Sequence, residues 1–322
     1  MSDFGIIGIG RIGTSMARNM SSKGIIVSLY DKSHNSLDNL KNDYPELESS
    51  LVFDDINKFI SSISKPRKVL VLVPSGPALD EVISLLIQYL DSNDILIDGG
   101  NTNPNVSFEN HQTIKSKNLL YLGMGVSGGV KGVLEGPSIM IGGDTNAFDQ
   151  VKNIFSQITS KTINGSKSFE FFGDSNQGHF VKMIHNGIEY VEMQLISSIY
   201  YLMINSKKYM YDDVAKIFKK WNDIDLNSYL LEISLLKLTE KTDDIYLLDR
   251  IDDKADDNGT GRWMLKHAID LGCSVSMLNS AIDSRFISNS NNTRSKANKL
   301  IIEDKKEYDI DFESLANAYR FC

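Results

Sequence analysis

The chain has 322 residues, of which 41% are hydrophobic and 24% charged, so two domains of ~150 residues with ordinary buried cores are expected. Its 34 basic against 42 acidic residues give a net charge of -8 without any basic block, which excludes a general nucleic-acid binder. With only Cys273 and Cys322, no disulfide framework or Cys/His metal cluster is expected; without a run of ~20 apolar residues or a leader pattern, neither is a membrane span, and a cytoplasmic protein is the expectation.

Short β-like runs occur at 4–9, 25–30, 69–73, 95–97, 119–122 and 138–141, with helix-like segments such as 14–23 and 79–89 between them. Apolar runs of this length, bounded by Gly, Pro or Asp, suit strands buried on both faces. The alternation predicts a doubly wound α/β domain over 1–175. Beyond it, long helical segments are expected at 176–205, 210–222, 228–239, 261–271 and 275–284, making 176–322 an all-helical domain. The first of them would be ~45 Å long at ~1.5 Å per residue. The Ser- and Asn-rich stretch 288–295 reads as a polar loop or a fraying helix end.

Gly8-Ile9-Gly10-Arg11-Ile12-Gly13 follows the first strand and opens a helix. In that setting Gly8 makes the tight turn, Gly10 lets the backbone approach a pyrophosphate, and Gly13 permits close helix packing. Arg11 and Ile12 begin the helix whose free N–H groups face the phosphates. The first domain is therefore expected to be Rossmann-type and dinucleotide-binding, the alternative being a glycine turn with no ligand. Asp31, 18 residues beyond Gly13, is placed to accept from the ribose hydroxyls and to repel a 2′-phosphate, which favours NAD. Lys32 works against that preference and leaves NADP open. Val73-Pro74-Ser75-Gly76 ends another strand and reads either as a nucleotide-contacting loop or as a plain turn.

Two further segments, Asp98-Gly99-Gly100-Asn101-Thr102 and Gly123-Met124-Gly125-Val126-Ser127-Gly128-Gly129, read as loops at strand ends that present an amide, hydroxyls and backbone N–H groups to a substrate. In the segment 178–190, Lys182, His185, Asn186, Glu189 and Tyr190 stand at i, i+3, i+4, i+7 and i+8, one line along a helix. Convergent titratable groups among apolar neighbours suggest catalysis, the alternative being a buried polar ridge that pairs with a neighbouring domain.

The glycine fingerprint within 4–20, the segments 98–101, 123–129, 140–143 and 178–190, Glu135-Gly136-Pro137-Ser138, Gly259-Thr260-Gly261-Arg262-Trp263 and 281–288 together resemble the 6-phosphogluconate dehydrogenase family of the β-hydroxyacid dehydrogenase superfamily. The resemblance covers essentially the whole chain. It implies oxidative decarboxylation of 6-phosphogluconate to ribulose 5-phosphate and CO2 in the pentose phosphate pathway, with a nicotinamide cofactor reduced and no metal required. By the same resemblance Lys182 takes the proton of the C3 hydroxyl, Glu189 protonates C1 of the enediol, and Asn186 and His185 hold the reacting hydroxyls. Asn101 faces substrate and cofactor, Ser127, Gly128 and Gly129 hold the sugar acid, and Tyr190, Thr260 and Arg285 meet the phosphate. A free lysine has a pKa near ~10.4, so partial burial beside His185 is expected to lower that of Lys182.

The match loosens at the phosphate end. Long members of the family carry a lysine before Gly-Thr-Gly where this chain has Asn258, flanked by Asp256 and Asp257. They also carry a second helical repeat and a tail, so a chain ending at Cys322 reads as the short form. Arg262 reads as a surface arginine, with phosphate contact as the alternative. A related 3-hydroxyacid dehydrogenase acting on a smaller or unphosphorylated acid is the second reading, and a non-catalytic regulatory binder the third. The apolar helical domain suggests a homodimer.

Overall fold

A computed structural model of the chain describes residues 1–33, 37–38, 40–206, 208–299 and 309–321. It divides into two compact units, Met1–Met183 and Ile184–Cys322, and the division falls within one long helix, Gln177–Asn205.

The first unit is built on a sheet with strands β1 (Phe4–Ile7), β2 (Val27–Tyr30), β3 (Leu51–Phe53), β4 (Lys68–Val71), β5 (Ile95–Asp98), β6 (Leu120–Ser127), β7 (Ser138–Gly143) and β8 (Phe169–Phe171), in the order β3-β2-β1-β4-β5-β6-β7-β8. The first six strands pair in parallel, β7 runs antiparallel to β6, and β8 is parallel to β7. Successive side chains of a strand point to opposite faces. Ile6 and Leu70 accordingly enter one apolar core, while Ile7, Val69 and Val71 enter the other. Burying each such side chain is worth ~1.5–3 kcal/mol, so a sheet covered on both faces explains the unbroken apolar runs.

All six expected strands are present. The edge strands β3 and β8, three residues each, are too short for any periodicity to reveal them. Chain order reverses between β1 and β4, which opens a crevice beyond their carboxyl ends. The helix Pro104–Lys115 follows β5, with Pro104 in its first turn and the Asn103 side chain accepting from the Asn105 N–H at 2.9 Å.

In the second unit the long helix continues and is followed by helices Tyr211–Asn222, Tyr229–Thr239, Thr260–Asp270, Ser276–Ser288, Asn291–Asn298 and Phe312–Phe321. Its main core gathers Ile199, Met203, Val214, Phe218, Trp221 and Leu231, and a smaller one forms around Tyr190, Leu278, Ala281 and Ile282. Two details refine the expectation. The unit is helical as expected, apart from a small hairpin of Lys241–Thr242 and Ile245–Tyr246 whose turn residues Asp243 and Asp244 have φ of 53° and 60°. The stretch 288–295, expected as a polar loop or a fraying helix end, spans the end of the helix Ser276–Ser288 and the start of Asn291–Asn298, whose Arg294 pairs its guanidinium with Asp253 outside the helix. Among the described residues, no helix is long and apolar enough to cross a membrane.

Candidate active site

The glycine turn after β1 has the shape a dinucleotide requires. Gly8 has φ of +93°, and a Cβ there would meet the Leu72 carbonyl at 2.7 Å. A Cβ at Gly13 would lie 1.9 Å from the Gly8 carbonyl oxygen, whereas one at Gly10 would meet nothing within 4 Å. The helix Arg11–Ser22 starts with neither a side-chain cap nor an acidic first turn, so its leading N–H groups are open to an anion. Arg11 is exposed, but the Ile12 side chain packs on the core, which leaves its backbone to serve a ligand. The Asp31 carboxylate spans the turn, accepting from the Ile9 N–H at 2.7 Å and the Ser33 N–H at 2.8 Å. Lys32 Nζ lies 2.7 Å from Glu81 Oε1. Val73 is half-buried and Pro74 exposed, just beyond β4. An open Gly10, an uncapped helix start and a fixed carboxylate fit a nicotinamide dinucleotide.

At the end of β5, Asp98 is fully buried and its Oδ1 accepts the Gly100 N–H at 3.1 Å, which fixes the turn that exposes Asn101. The next glycine-rich segment is not the loop expected from sequence. β6 extends to Ser127, so Gly123 and Gly125 lie within a strand, and the turn begins at Gly128 (φ +137°) and Gly129 (φ +59°). Those two strand glycines admit the start of the long helix. A Cβ on Gly125 would stand 2.3 Å from Lys182 Cβ, and one on Gly178 would stand 2.3 Å from the Gly123 carbonyl oxygen. Lys182 is thereby set against β6 and is only 8% exposed.

The second unit opens with the remaining polar residues of the same helix. His185 Nδ1 lies 3.3 Å from Glu189 Oε2 and 3.4 Å from Asn186 Oδ1, and Asn186 is buried. Tyr190, also buried, directs its hydroxyl to Asp257 Oδ1 at 2.9 Å, with Asn258 Oδ1 at 3.1 Å. The Arg285 guanidinium lies 4.0 Å from the centroid of the Tyr190 ring and donates to the Asp256 carbonyl at 2.8 Å. Thr260 Oγ1 donates to Asn258 Oδ1 at 2.8 Å. Tyr190, Thr260 and Arg285 are thus brought together, around the turn Asp256-Asp257-Asn258. A Cβ on Gly261 would press on the Tyr190 ring at 2.9 Å, so this glycine lets the helix Thr260–Asp270 approach so closely.

Asp257 is the residue that sequence reasoning noted only as a flanking acid. Its carboxylate accepts the Gly259 N–H at 2.8 Å, and its Oδ2 lies 2.6 Å from Arg262 Nε. Burial pushes the Asp257 carboxyl up, but the Gly259 N–H, the Tyr190 hydroxyl and Arg262 outweigh it and hold it below the ordinary range. Burial, then Asp257, raises the Tyr190 phenol. Arg262 is exposed as expected, yet it is engaged by Asp257.

A doubly wound sheet with a glycine turn of this shape at its switch point defines a Rossmann-type dinucleotide-binding domain. Residues 3–166 match the NAD binding domain of 6-phosphogluconate dehydrogenase, and residues 178–321 match the 6-phosphogluconate dehydrogenase C-terminal domain. The decarboxylating 6-phosphogluconate dehydrogenase of Staphylococcus epidermidis is 35% identical over 317 residues, spanning 98% of this chain and 68% of the relative. That of Lactococcus lactis is 36% identical over 323 residues, spanning 99% and 68%. Among solved structures, Plasmodium falciparum 6-phosphogluconate dehydrogenase, studied in its apo form and in complex with its cofactor NADP+ and its substrate 6-phosphogluconate, superposes with a TM-score of 0.93 at 35% identity, covering 99% of this chain and 70% of that one. A Mycobacterium tuberculosis 3-hydroxyisobutyrate dehydrogenase shares the fold, with a TM-score of 0.68 at 16% identity and 99% of both chains covered. The chain belongs to the 6-phosphogluconate dehydrogenase family.

Proposed function

We propose that this protein converts 6-phosphogluconate to ribulose 5-phosphate and CO2 while reducing a nicotinamide cofactor, NAD in preference to NADP. The observation that carries the reading is the register of one helix, Gln177–Asn205, which holds Lys182 at i, Asn186 at i+4 and Glu189 at i+7 in a chain of this family. Residues 1–175 serve the cofactor, and 176–322 serve the substrate and a homodimer interface.

A nicotinamide bound at the glycine turn would supply the acceptor for the hydride of C3. Lys182 accepts the proton of the C3 hydroxyl, and its burial against β6 is the setting in which a lysine acts as a base. The resulting β-keto acid loses its carboxylate as CO2, and the electron pair of the broken bond forms an enediol as its C3 oxygen takes back the proton from Lys182, which removes it again when the terminal carbon is protonated to give the ketone. Glu189 protonates the terminal carbon of that enediol, with His185, 3.3 Å away, orienting its carboxylate. Asn186 and His185 hold the reacting hydroxyls; Asn101, Ser127, Gly128 and Gly129 hold the sugar acid; Tyr190, Thr260 and Arg285 hold the phosphate. Gly8, Gly10, Arg11, Ile12, Gly13, Val73, Pro74 and Asn101 serve the cofactor. The preference for NAD rests on Asp31, whose carboxylate is fixed by two backbone N–H groups, while Glu81 draws Lys32 aside.

One observation favours a second reading. The Asp257 carboxylate stands within the Tyr190, Thr260 and Arg285 group and opposes a phosphate dianion there, which suits an unphosphorylated acid. Comparing kcat/KM for 6-phosphogluconate and for gluconate, each with NAD and NADP, separates the two readings. A preference for the phosphorylated acid by tenfold or more supports the first; equal values, or a preference for gluconate, support the second.

A further inference from the structure

Four polar side chains of the first unit form a chain that solvent does not reach: Asp98, Ser107 and Tyr121 are 0% exposed and His179 is 2% exposed. They come from four elements, namely the end of β5, the helix Pro104–Lys115, β6 and the start of the long helix. His179 Nδ1 lies 2.8 Å from Ser107 Oγ, Ser107 Oγ lies 3.0 Å from the Tyr121 hydroxyl, and that hydroxyl donates to Asp98 Oδ2 at 3.4 Å. The site is shaped for this contact, since a Cβ on Gly123 would stand 2.9 Å from both His179 Nδ1 and Ser107 Oγ. The Tyr121 ring stacks on His111 at 5.4 Å, and His111 Nε2 lies 3.2 Å from Asp144 Oδ2, which also accepts the Tyr121 N–H. The phenol is therefore clamped in place.

Burying four polar groups in the middle of an apolar sheet is unfavourable unless each finds a partner, and apolar side chains of the same size would pack there without that requirement. What distinguishes the chain is where it ends. At one end Asp98 holds the Gly100 N–H, one residue before Asn101. At the other, His179 precedes Lys182 by three residues, a single turn of the same helix. The donors run in one direction. Tyr121 donates its one hydroxyl hydrogen to Asp98, so its oxygen accepts from Ser107, and Ser107 in turn accepts from His179 Nδ1–H. We propose that His179 is a positioning residue that fixes the Lys182 helix against the Asn101 loop through Ser107, Tyr121 and Asp98. The proposal rests on the reading that Lys182 and Asn101 act on the substrate.

The test uses the full chain with His179→Leu, His179→Asn, Ser107→Ala, Tyr121→Phe and, as a control on the underlying reading, Lys182→Ala. His179→Leu is expected to lower kcat about tenfold to a hundredfold, the size of effect that a slight misplacement of reacting groups produces, with KM for NAD within about twofold. His179→Asn, which retains a donor near the Nδ1 position, recovers most of kcat. Ser107→Ala or Tyr121→Phe added to His179→Leu causes no further loss. Hydrogen–deuterium exchange, which needs no turnover, speeds up at residues 99–103 and 178–183 in His179→Leu. A packing role predicts instead that Leu serves as well as Asn, and that result, or unchanged exchange at both segments, overturns the proposal. If His179→Leu does not fold, unchanged kcat and exchange in both Ser107→Ala and Tyr121→Phe overturn it equally. Full activity in Lys182→Ala would sink the underlying reading instead, whatever His179 does.

Discussion

The hydroxyl of Tyr190 lies 2.9 Å from Oδ1 of Asp257, an acid of its own chain, while Arg285 covers the ring face at 4.0 Å. An internal carboxylate thus takes up donors that the resemblance assigns to a phosphate. Like charges ~4 Å apart repel by up to ~4 kcal/mol at an effective dielectric of ~20, and counter-charges reduce that figure. Asp257→Asn keeps an oxygen for the Gly259 and Tyr190 donors and removes the charge. It is expected to lower KM for 6-phosphogluconate about three- to tenfold, with kcat and the KM for gluconate little changed, as steady-state kinetics would reveal. A raised KM for the phosphorylated acid alone would mean that Asp257 supports phosphate binding.

On the proposed reading, cofactor choice depends on Asp31 and on the pairing of Lys32 with Glu81. Asp31→Asn is expected to raise the ratio of kcat/KM for NADP to that for NAD by about tenfold, equivalent to ~1.4 kcal/mol. Adding Glu81→Gln frees Lys32 for a 2′-phosphate and raises the ratio further. An unchanged ratio in the double variant would remove Asp31 from the account of specificity.

On the proposed reading, Gly125 bears on the reacting end and Gly10 on the cofactor end. Gly125→Ala puts a methyl 2.3 Å from Lys182 Cβ, which forces the helix backbone to move. A loss in kcat of about a hundredfold is expected, with NAD affinity by fluorescence titration preserved. Gly10→Ala meets no atom within 4 Å, so it folds and instead raises the dissociation constant for NAD.

Burial lowers the His179 pKa from its ordinary value of 6.5, with Asp98 opposing the shift. A histidine with a depressed folded-state pKa leaves the unfolded chain to bind the extra proton, so stability is lost as pH falls below ~6.5. Tm of the wild type is expected to drop more steeply than that of His179→Asn between pH 7.5 and 5.5. The groups facing His179, namely Asp98, Tyr121 and Ser107, and the nearby His111–Asp144 pair are present in both proteins. Parallel Tm profiles would mean that His179 takes up its proton as readily folded as unfolded.

Much of this was legible from residue order. The switch-point strands and the glycine turn were readable because each signal is local: apolar runs bounded by turn residues, and glycines at fixed spacing. The His185–Glu189 contact follows from an i, i+4 spacing alone. By contrast, Gly123 and Gly125 read as a loop, because a glycine that admits a helix and a glycine that turns the chain look alike in sequence. β3 and β8 carry three residues each, fewer than a periodicity requires. The group of His179, Ser107 and Tyr121 leaves no sequence signal, because topology, not spacing, joins residues 98, 107, 121 and 179. Asp257 was noted only as a neighbour of Asn258, since its contact with Tyr190 spans 67 residues.

The central claim is that Lys182 starts an oxidation that ends in loss of CO2. It is tested most directly by following nicotinamide reduction and CO2 release together, with 6-phosphogluconate as substrate, in the wild type and in Lys182→Ala. The account predicts one CO2 for each reduced nicotinamide in the wild type and a loss of both signals by a hundredfold or more in the variant. Reduction without CO2, or full turnover in Lys182→Ala, would contradict it.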